Sequence, residues 1–171
     1  MLTLENVQAE DRNDFRRMAE CFWKEIMPHS DVVNDPTRGD SYFVEQFSWQ
    51  EGDDHPYWAV SKDMRVGFVS FEVEIEKRFA QLGNLYVSPN FRRKGFGTEI
   101  VRLVFGHLDD LGIEQIDLNV RRDNPHALNF WKAQGFGVAL YRLRMYRDPA
   151  DTTAYVGALS SDLVDGDVSE K

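Results

Sequence analysis

Alternating apolar and polar residues along this chain predict six strands. The clearest run covers residues 66–76, where the odd positions from 69 to 75 are apolar and the even positions carry Ser70, Glu72, Glu74 and Glu76. Because successive side chains of a strand point to opposite faces, this run would bury one face and present a row of polar groups on the other. Shorter runs of the same kind predict further strands at 2–7, 57–61, 79–87, 115–120 and 138–147.

Apolar residues at steps of three and four predict four helices between these strands. The first stretch runs from Asp11 or Asn13 to Pro28. The other three run from Asp40 to Ser48, from Gly95 to Leu111, and from Asn124 to Gly135. The last has the best start signal, because Asn124 can cap the helix and Pro125 suits its first position. Residues 29–40, between the first two helices, are predicted as a loop.

The order of these elements, β-α-α-β-β-β-α-β-α-β, predicts an α/β (α+β) fold with a mixed sheet and helices on both faces. With 171 residues, 42% of them hydrophobic, the chain has the size of one domain, which we place at residues 1–147. Residues 148–171 form an acidic C-terminal tail with six acidic residues and one basic residue. Its apolar residues are few, so the sequence leaves open whether it is a frayed terminus or is docked on the domain or on a partner chain.

Composition argues against several classes of protein. A net charge of −9 is unlike that of a nucleic-acid-binding protein, whose contact surface is normally basic. The apolar runs are too short to span a bilayer, and the first residues lack the basic and apolar segments of a secretory signal. The four histidines show no metal-ligand spacing, and the single Cys21 rules out an internal disulfide. We therefore expect a cytoplasmic protein without a metal, nucleic-acid or membrane partner, in which Cys21 is packed in a helix.

The segment between the strand 79–87 and the following helix carries the strongest functional signal. Pro89 ends the strand pairing, and Gly95 and Gly97 stand where the helix begins. A glycine-rich helix start offers free backbone N–H groups and the positive end of the helix dipole. Side-chain charge beside it comes from Arg92, Arg93 and Lys94. Together these groups predict a socket for a phosphate di-anion.

Two motifs in this chain resemble those of the GNAT superfamily of N-acetyltransferases. The first is R-x-x-G-x-G at residues 92–97, directly after a strand that ends in V-x-P. The second is N-x-x-A-x-x-[LF]-[YW]-x-x-x-G-F at residues 124–136. Clear similarity covers roughly residues 58–147. It implies the GNAT fold, with a mixed, mostly antiparallel sheet of six to seven strands that splays between its fourth and fifth strands to admit the pantetheine arm.

The resemblance also implies acetyl-CoA as the co-substrate and direct transfer to an amine without an acyl-enzyme. Pairing with the pantetheine amides would come from backbone groups of Leu85, Tyr86 and Val87. The pyrophosphate would be held by backbone N–H groups of Arg93, Lys94, Gly95, Phe96, Gly97 and Thr98. Arg92 would orient this loop, and Asn124 matches a family position that reaches the pantetheine or its phosphate.

Trp131 and a missing strand carboxylate depart from the family pattern. Many members carry a tyrosine where Trp131 stands, and an indole N–H cannot replace a phenol as the acid for the departing thiolate. We expect Trp131 to pack against the cofactor or the sheet. Relatives often carry a carboxylate on the strand before Val87, but the alternating positions here are Phe79, Gln81 and Gly83. We therefore predict Glu72 or Glu74 as the catalytic base, acting through water; the alternative is that both belong to a solvent-facing strand surface.

The acceptor is predicted to bind between the first two helices and the sheet. Aromatic residues of this region are Phe22, Trp23, Tyr42, Trp49, Tyr57 and Trp58, and its acidic residues are Asp31, Asp35, Asp40, Asp53 and Asp54. Aromatic walls with an acidic rim favour a small cationic amine of the polyamine or aminoglycoside type. Acetylation of a protein N-terminus or lysine is one alternative, and a non-catalytic acyl-CoA-binding module is another. The resemblance further implies a homodimer.

Overall fold

The computed structural model describes residues 1–47 and 56–140, which form one mixed sheet with helices on both faces. The strands are β1 (Leu2–Asn6), β2 (Tyr57–Ser61), β3 (Met64–Glu74), β4 (Phe79–Val87) and β5 (Gln115–Leu118). They lie in the order β1-β2-β3-β4-β5. The pairs β1–β2, β2–β3 and β3–β4 are antiparallel, whereas β5 runs parallel to β4.

The predicted fold class is confirmed, although the described residues hold five strands where six to seven were expected. The missing strand was predicted at residues 138–147. Residues 138–140 have no regular secondary structure, and the rest of that prediction, like the tail 148–171, lies outside the described residues.

The helices are α1 (Arg12–Ile26), α2 (Asp31–Asn34), α3 (Pro36–Gln46), α4 (Phe96–Asp110) and α5 (Pro125–Ala133). The prediction of a loop at 29–40 is wrong, because α2 and the start of α3 occupy it. The cause is local: Asp35 accepts a hydrogen bond from the N–H of Thr37 at 2.9 Å, and Pro36 takes the first helical position. This is the same start signal that was recognised at Asn124.

Two hydrophobic cores lie on opposite faces of the sheet. The core under α4 and α5 is built around Val69, Phe71, Leu82, Ile100, Val104, Leu108 and Trp131. The core under α1 and α3 is built around Phe15, Trp23, Phe43, Phe47, Trp58, Phe68 and Tyr86. Rings in the second core meet mostly edge to face, as between Phe15 and Phe68 at 5.0 Å, an arrangement that suits the ring quadrupoles.

Three further expectations about single residues are wrong. The strand predicted to reach residue 76 ends at Glu74, and Ile75–Lys77 form a 3-10 turn that leads into β4. Ile75 is therefore 53% exposed rather than buried with Val69. Cys21 is exposed on α1 and is not packed.

Candidate functional site

The sheet opens between β4 and β5 along the second half of β4. The parallel pairing joins Phe79–Leu82 to Gln115–Leu118, and β5 ends there. Beyond Leu82, residues 84–87 pair with β3 on one side, and the described part of the chain places no strand on the other. The backbone of Leu85, Tyr86 and Val87 therefore borders an opening where an extended chain could add to the sheet.

A β-bulge lies at the point where the opening begins. Ser70 is opposite Asn84 and Phe71 is opposite Leu82, which leaves Gly83 as the extra residue of β4. The backbone N–H and the side-chain amide of Asn84 both donate to Oγ of Ser70, at 3.1 Å each. Strict alternation along β4 was assumed from the sequence, yet a glycine inside a strand is itself a signal for a bulge.

The bulge decides which β4 side chains face which helices. Leu82 and Leu85 both pack with the core under α4, although strict alternation would have separated them. Tyr86 points to the other face and packs in the core under α1. As a result, the alternation of β4 side chains between the two faces of the sheet shifts by one residue at Gly83, beside the opening.

The loop between β4 and α4 forms a cradle of backbone N–H groups. Arg93 and Gly95 have positive φ angles of 61° and 83°. Gly95 is the residue that precedes α4, and no side chain caps the helix there. The N–H groups of the first helical turn have no acceptor within the helix, so they are available to an anion. A Cβ at Gly95 would have no atom within 4 Å, so the space above the loop is open.

Arg92 is engaged by the protein itself. Its Nε donates to the carbonyl oxygen of Val87 at 2.7 Å. Its Nη2 donates to both carboxylate oxygens of Glu25 on α1, at 2.8 and 2.7 Å. These contacts fix the position of the loop relative to β4 and α1. Glu25 was missed in the sequence, where nothing near it in the chain marks it as a partner of the loop.

The phenol of Tyr86 completes this group. It is 5% exposed, and its hydroxyl donates to Oε1 of Glu25 at 3.1 Å. The Arg92 guanidinium lies 5.3 Å from the centre of the Tyr86 ring. Burial, and after it the negative charge of Glu25, raises the pKa of Tyr86 to about 12, so the phenol stays protonated at neutral pH.

Asn124 and Trp131 both have partners in or next to α5. The side-chain oxygen of Asn124 accepts from the N–H of Ala127 at 3.0 Å, which confirms it as the helix cap. Trp131 is 8% exposed and lies edge-on to Phe136, with ring centres 5.4 Å apart. A Cβ at Gly97 would lie 3.4 Å from the ring of Phe130, so α5 packs directly against the start of α4.

Glu72 and Glu74 both lie at the exposed end of β3. Glu74 forms an ion pair with Lys77. Glu72 is opposite Gln81, which in turn is opposite Asp117 on β5. The Gln81 side-chain amide donates to the backbone oxygen of Asp117 at 3.2 Å. The structure thus brings Asp117 into one row with Glu72. The sequence analysis did not select Asp117.

The aromatic residues assigned to the acceptor region are mainly core residues. Trp23 and Trp58 are buried, and Tyr57 stacks on Phe71 on the α4 side of the sheet. Tyr57 and Trp58 thus serve the core, which needs their volume, whereas Trp23 also borders a cavity between α1 and the α2–α3 segment. The other members on residues 48–55, which are Trp49, Asp53 and Asp54, lie outside the described residues.

Asp11 was considered as the cap of the first helix, but its side chain has a different role. It precedes α1, but its carboxylate makes no capping bond. It accepts instead from the Trp58 indole at 3.3 Å and from Arg65. Burial acts to raise its pKa, but the bonds from Arg65 and Trp58 outweigh this and lower it.

Within residues 1–47 and 56–140, no helix is long and apolar enough to cross a membrane. The same residues contain no group of three or more His, Cys, Asp or Glu side chains that could hold a metal ion.

Comparison with known proteins identifies the family of this chain. The model of the acetyltransferase (GNAT) family matches residues 15–136. An uncharacterized N-acetyltransferase of Methanocaldococcus jannaschii is 26% identical over 151 residues, covering 78% of this chain and 60% of that protein. The ribosomal protein bS18 alanine N-acetyltransferase of Salmonella typhimurium is 29% identical over 84 residues, covering 49% of this chain and 55% of that protein. The match thus spans less than two thirds of either curated relative.

A solved structure supports the same fold. The PaiA N-acetyltransferase of Thermoplasma acidophilum, in complex with coenzyme A, has a TM-score of 0.67 at 19% identity. The alignment covers 83% of this chain and 93% of that structure.

Proposed function

We propose, because this chain belongs to the acetyltransferase (GNAT) family, that it transfers an acetyl group from acetyl-CoA to a primary amine. The observation that carries the proposal is the junction of two features in residues 83–98. The open edge of β4 leads directly into the uncapped, glycine-bounded start of α4. An extended amide chain that ends in a pyrophosphate fits such a junction, because it can pair with a strand and then reach a helix N-terminus.

The binding roles follow from these positions. N–H groups of residues 93–98 would hold the pyrophosphate, and the charges of Arg93 and Lys94 would add attraction. The backbone of Leu85, Tyr86 and Val87 would pair with the pantetheine. Asn124 and Trp131 would contribute chiefly by placing α5 against the start of α4, since both have partners inside the protein.

The reaction is an acyl transfer to nitrogen. The neutral amine attacks the thioester carbon, the C–S bond breaks, and the proton lost by nitrogen passes to a base. We assign that base to Glu72, acting through water, in preference to Glu74, whose carboxylate is neutralised by Lys77. The departing thiolate takes its proton from water, because Trp131 cannot supply one.

For the acceptor, a small cationic amine is the first candidate. Glu72 and Asp117 place two carboxylates on the same face of the sheet, two strands apart, and the chain carries a net charge of −9. A field of this sign attracts cations. A protein N-terminus is the second candidate, favoured by the 29% identity to a ribosomal protein alanine acetyltransferase.

The single, exposed Cys21 supports activity in a reducing compartment such as the cytoplasm.

Binding and turnover test the proposal in two steps. Acetyl-CoA at about 100 times its Kd should stabilise the fold by about 2.7 kcal/mol, which a thermal shift would detect. Thiol release is then measured with polyamines, aminoglycosides and short peptides as acceptors. Turnover with amines supports the first candidate, and turnover with peptides alone supports the second. Tight binding without any turnover would replace both with an acyl-CoA-binding module.

A further inference from the structure

We infer that Glu25 of α1 is a positioning residue for the CoA loop and that it acts through Arg92, an inference that rests on the proposed function. Arg92 is the first residue of the R-x-x-G-x-G motif, yet its described contacts go to the protein rather than toward the open space above Gly95. Glu25 lies 67 positions earlier in the chain, so only the fold brings the two together.

The geometry makes Arg92 a poor candidate for a phosphate ligand. Its Nη2 contacts both oxygens of one carboxylate, at 2.8 and 2.7 Å. Its Nε is used by the carbonyl of Val87, the last residue of β4. A guanidinium bound in this way has much of its charge balanced by Glu25, and it is held on the strand side of the loop. Among the described residues, Arg93 and Lys94 have no carboxylate partner, although Lys94 donates to the carbonyl oxygen of Asn90 at 2.9 Å, so they are the cations of the motif whose charge is not balanced.

Glu25 joins three elements at one point. Its Oε1 accepts from Tyr86 on β4 at 3.1 Å and from Arg92 in the loop at 2.8 Å, while its backbone belongs to α1. Within the described residues, no backbone N–H of residues 93–95 donates to another backbone group, and Arg93 and Gly95 have positive φ, so no regular backbone pairing holds this part of the loop. The contact with Glu25 therefore fixes the start of the loop, and this sets the direction in which the N–H groups of residues 93–98 point toward the phosphates.

This role differs from a contribution to stability. The side chains of Arg92 and Glu25 are 39% and 41% exposed, and partly exposed ion pairs contribute little to folding. A purely structural pair would leave CoA affinity unchanged when broken. A positioning pair would weaken CoA binding although the protein stays folded.

The test measures the Kd for CoA by calorimetry and the melting temperature for Glu25→Gln, Arg92→Lys and the double variant. We expect each single variant to weaken CoA binding by about threefold to tenfold, and the double variant to be no worse than the weaker single one, because both changes break the same contact. Arg92→Lys is informative because it keeps the positive charge and loses the planar fork. In steady-state assays, KM for acetyl-CoA should rise and kcat should stay within about twofold.

Glu20→Gln is the matched control. Glu20 also lies on α1 and pairs with an arginine, Arg16, at 2.8 Å, but it makes no contact with the loop. This variant should bind CoA as the wild type does.

Two results would overturn the inference. If Glu25→Gln binds CoA as tightly as the wild type or more tightly, Arg92 is free to act on phosphate and needs no anchor. If the effects of the single variants add in the double variant, the two residues act separately. Either result leaves the proposed function standing, whereas a wild-type protein without affinity for CoA would overturn both.

Discussion

Replacing Gly97 by alanine separates the stability of α4 from the binding of a phosphate at its first turn. Gly97 is the second residue of the helix, and its φ is not positive, so alanine can adopt the same backbone. The added Cβ would lie 3.4 and 3.5 Å from two carbons of the Phe130 ring, which is ordinary contact. Alanine exceeds glycine in helix propensity by up to about 1 kcal/mol, so we expect the free energy of unfolding to stay level or rise slightly.

The effect on CoA should have the opposite sign. Cα–Cβ bonds in a helix point toward its N-terminus, so the new methyl group, packed beside Phe130, also narrows the space at the first turn where the N–H groups would meet the pyrophosphate. A phosphate displaced from these groups loses charge-assisted hydrogen bonds. We expect at least about a tenfold weaker Kd, equivalent to about 1.4 kcal/mol.

The assay pairs urea unfolding with calorimetric titration of CoA. Gly106→Ala serves as the control, because Gly106 lies in the same helix and a Cβ there would have no atom within 4 Å. That variant should gain stability from helix propensity and keep its CoA affinity. If Gly97→Ala also keeps the wild-type Kd within twofold, the phosphates do not lie against the first turn of α4, and the proposed binding mode is wrong.

Three further predictions concern other parts of the molecule. The folded protein holds the phenol proton of Tyr86 more tightly than the unfolded chain, because the pKa rises from 10.0 to about 12, so this contribution to stability is complete below pH 10 and is lost as the pH rises toward 12. The stability difference between wild type and Tyr86→Phe, from urea unfolding at pH 8 to 11.5, should therefore shrink with rising pH, and a constant difference would contradict the assignment. Glu72→Gln should lower kcat by about a hundredfold or more through loss of the base, whereas Glu74→Gln should leave kcat within about twofold; an unchanged kcat for Glu72→Gln would exclude Glu72 as the base. Asp35→Ala should lower the free energy of unfolding by about 1 kcal/mol through loss of the α3 cap, and an unchanged urea midpoint would show that this cap is not needed.

Features that depend on neighbouring residues were predictable from the sequence. The start of α5 at Asn124 and Pro125 and the glycine-bounded start of α4 lie where they were expected, because such signals are local: the Asn124 side chain accepts from an N–H only three residues later. The fold class followed from the order of such elements. The α3 start at Asp35 and the bulge at Gly83 carried equally local signals that were interpreted too simply.

Features that join distant parts of the chain were decided only by the tertiary structure. Hydrophobic periodicity shows that a side chain is buried, but not which residues surround it, so Trp58 was assigned to a pocket although it completes a core. The contact of Glu25 with Arg92 and Tyr86, and the row of Glu72, Gln81 and Asp117, join residues between 9 and 67 positions apart. Such contacts arise because strand order and register bring the residues together, and no short stretch of sequence specifies either of these.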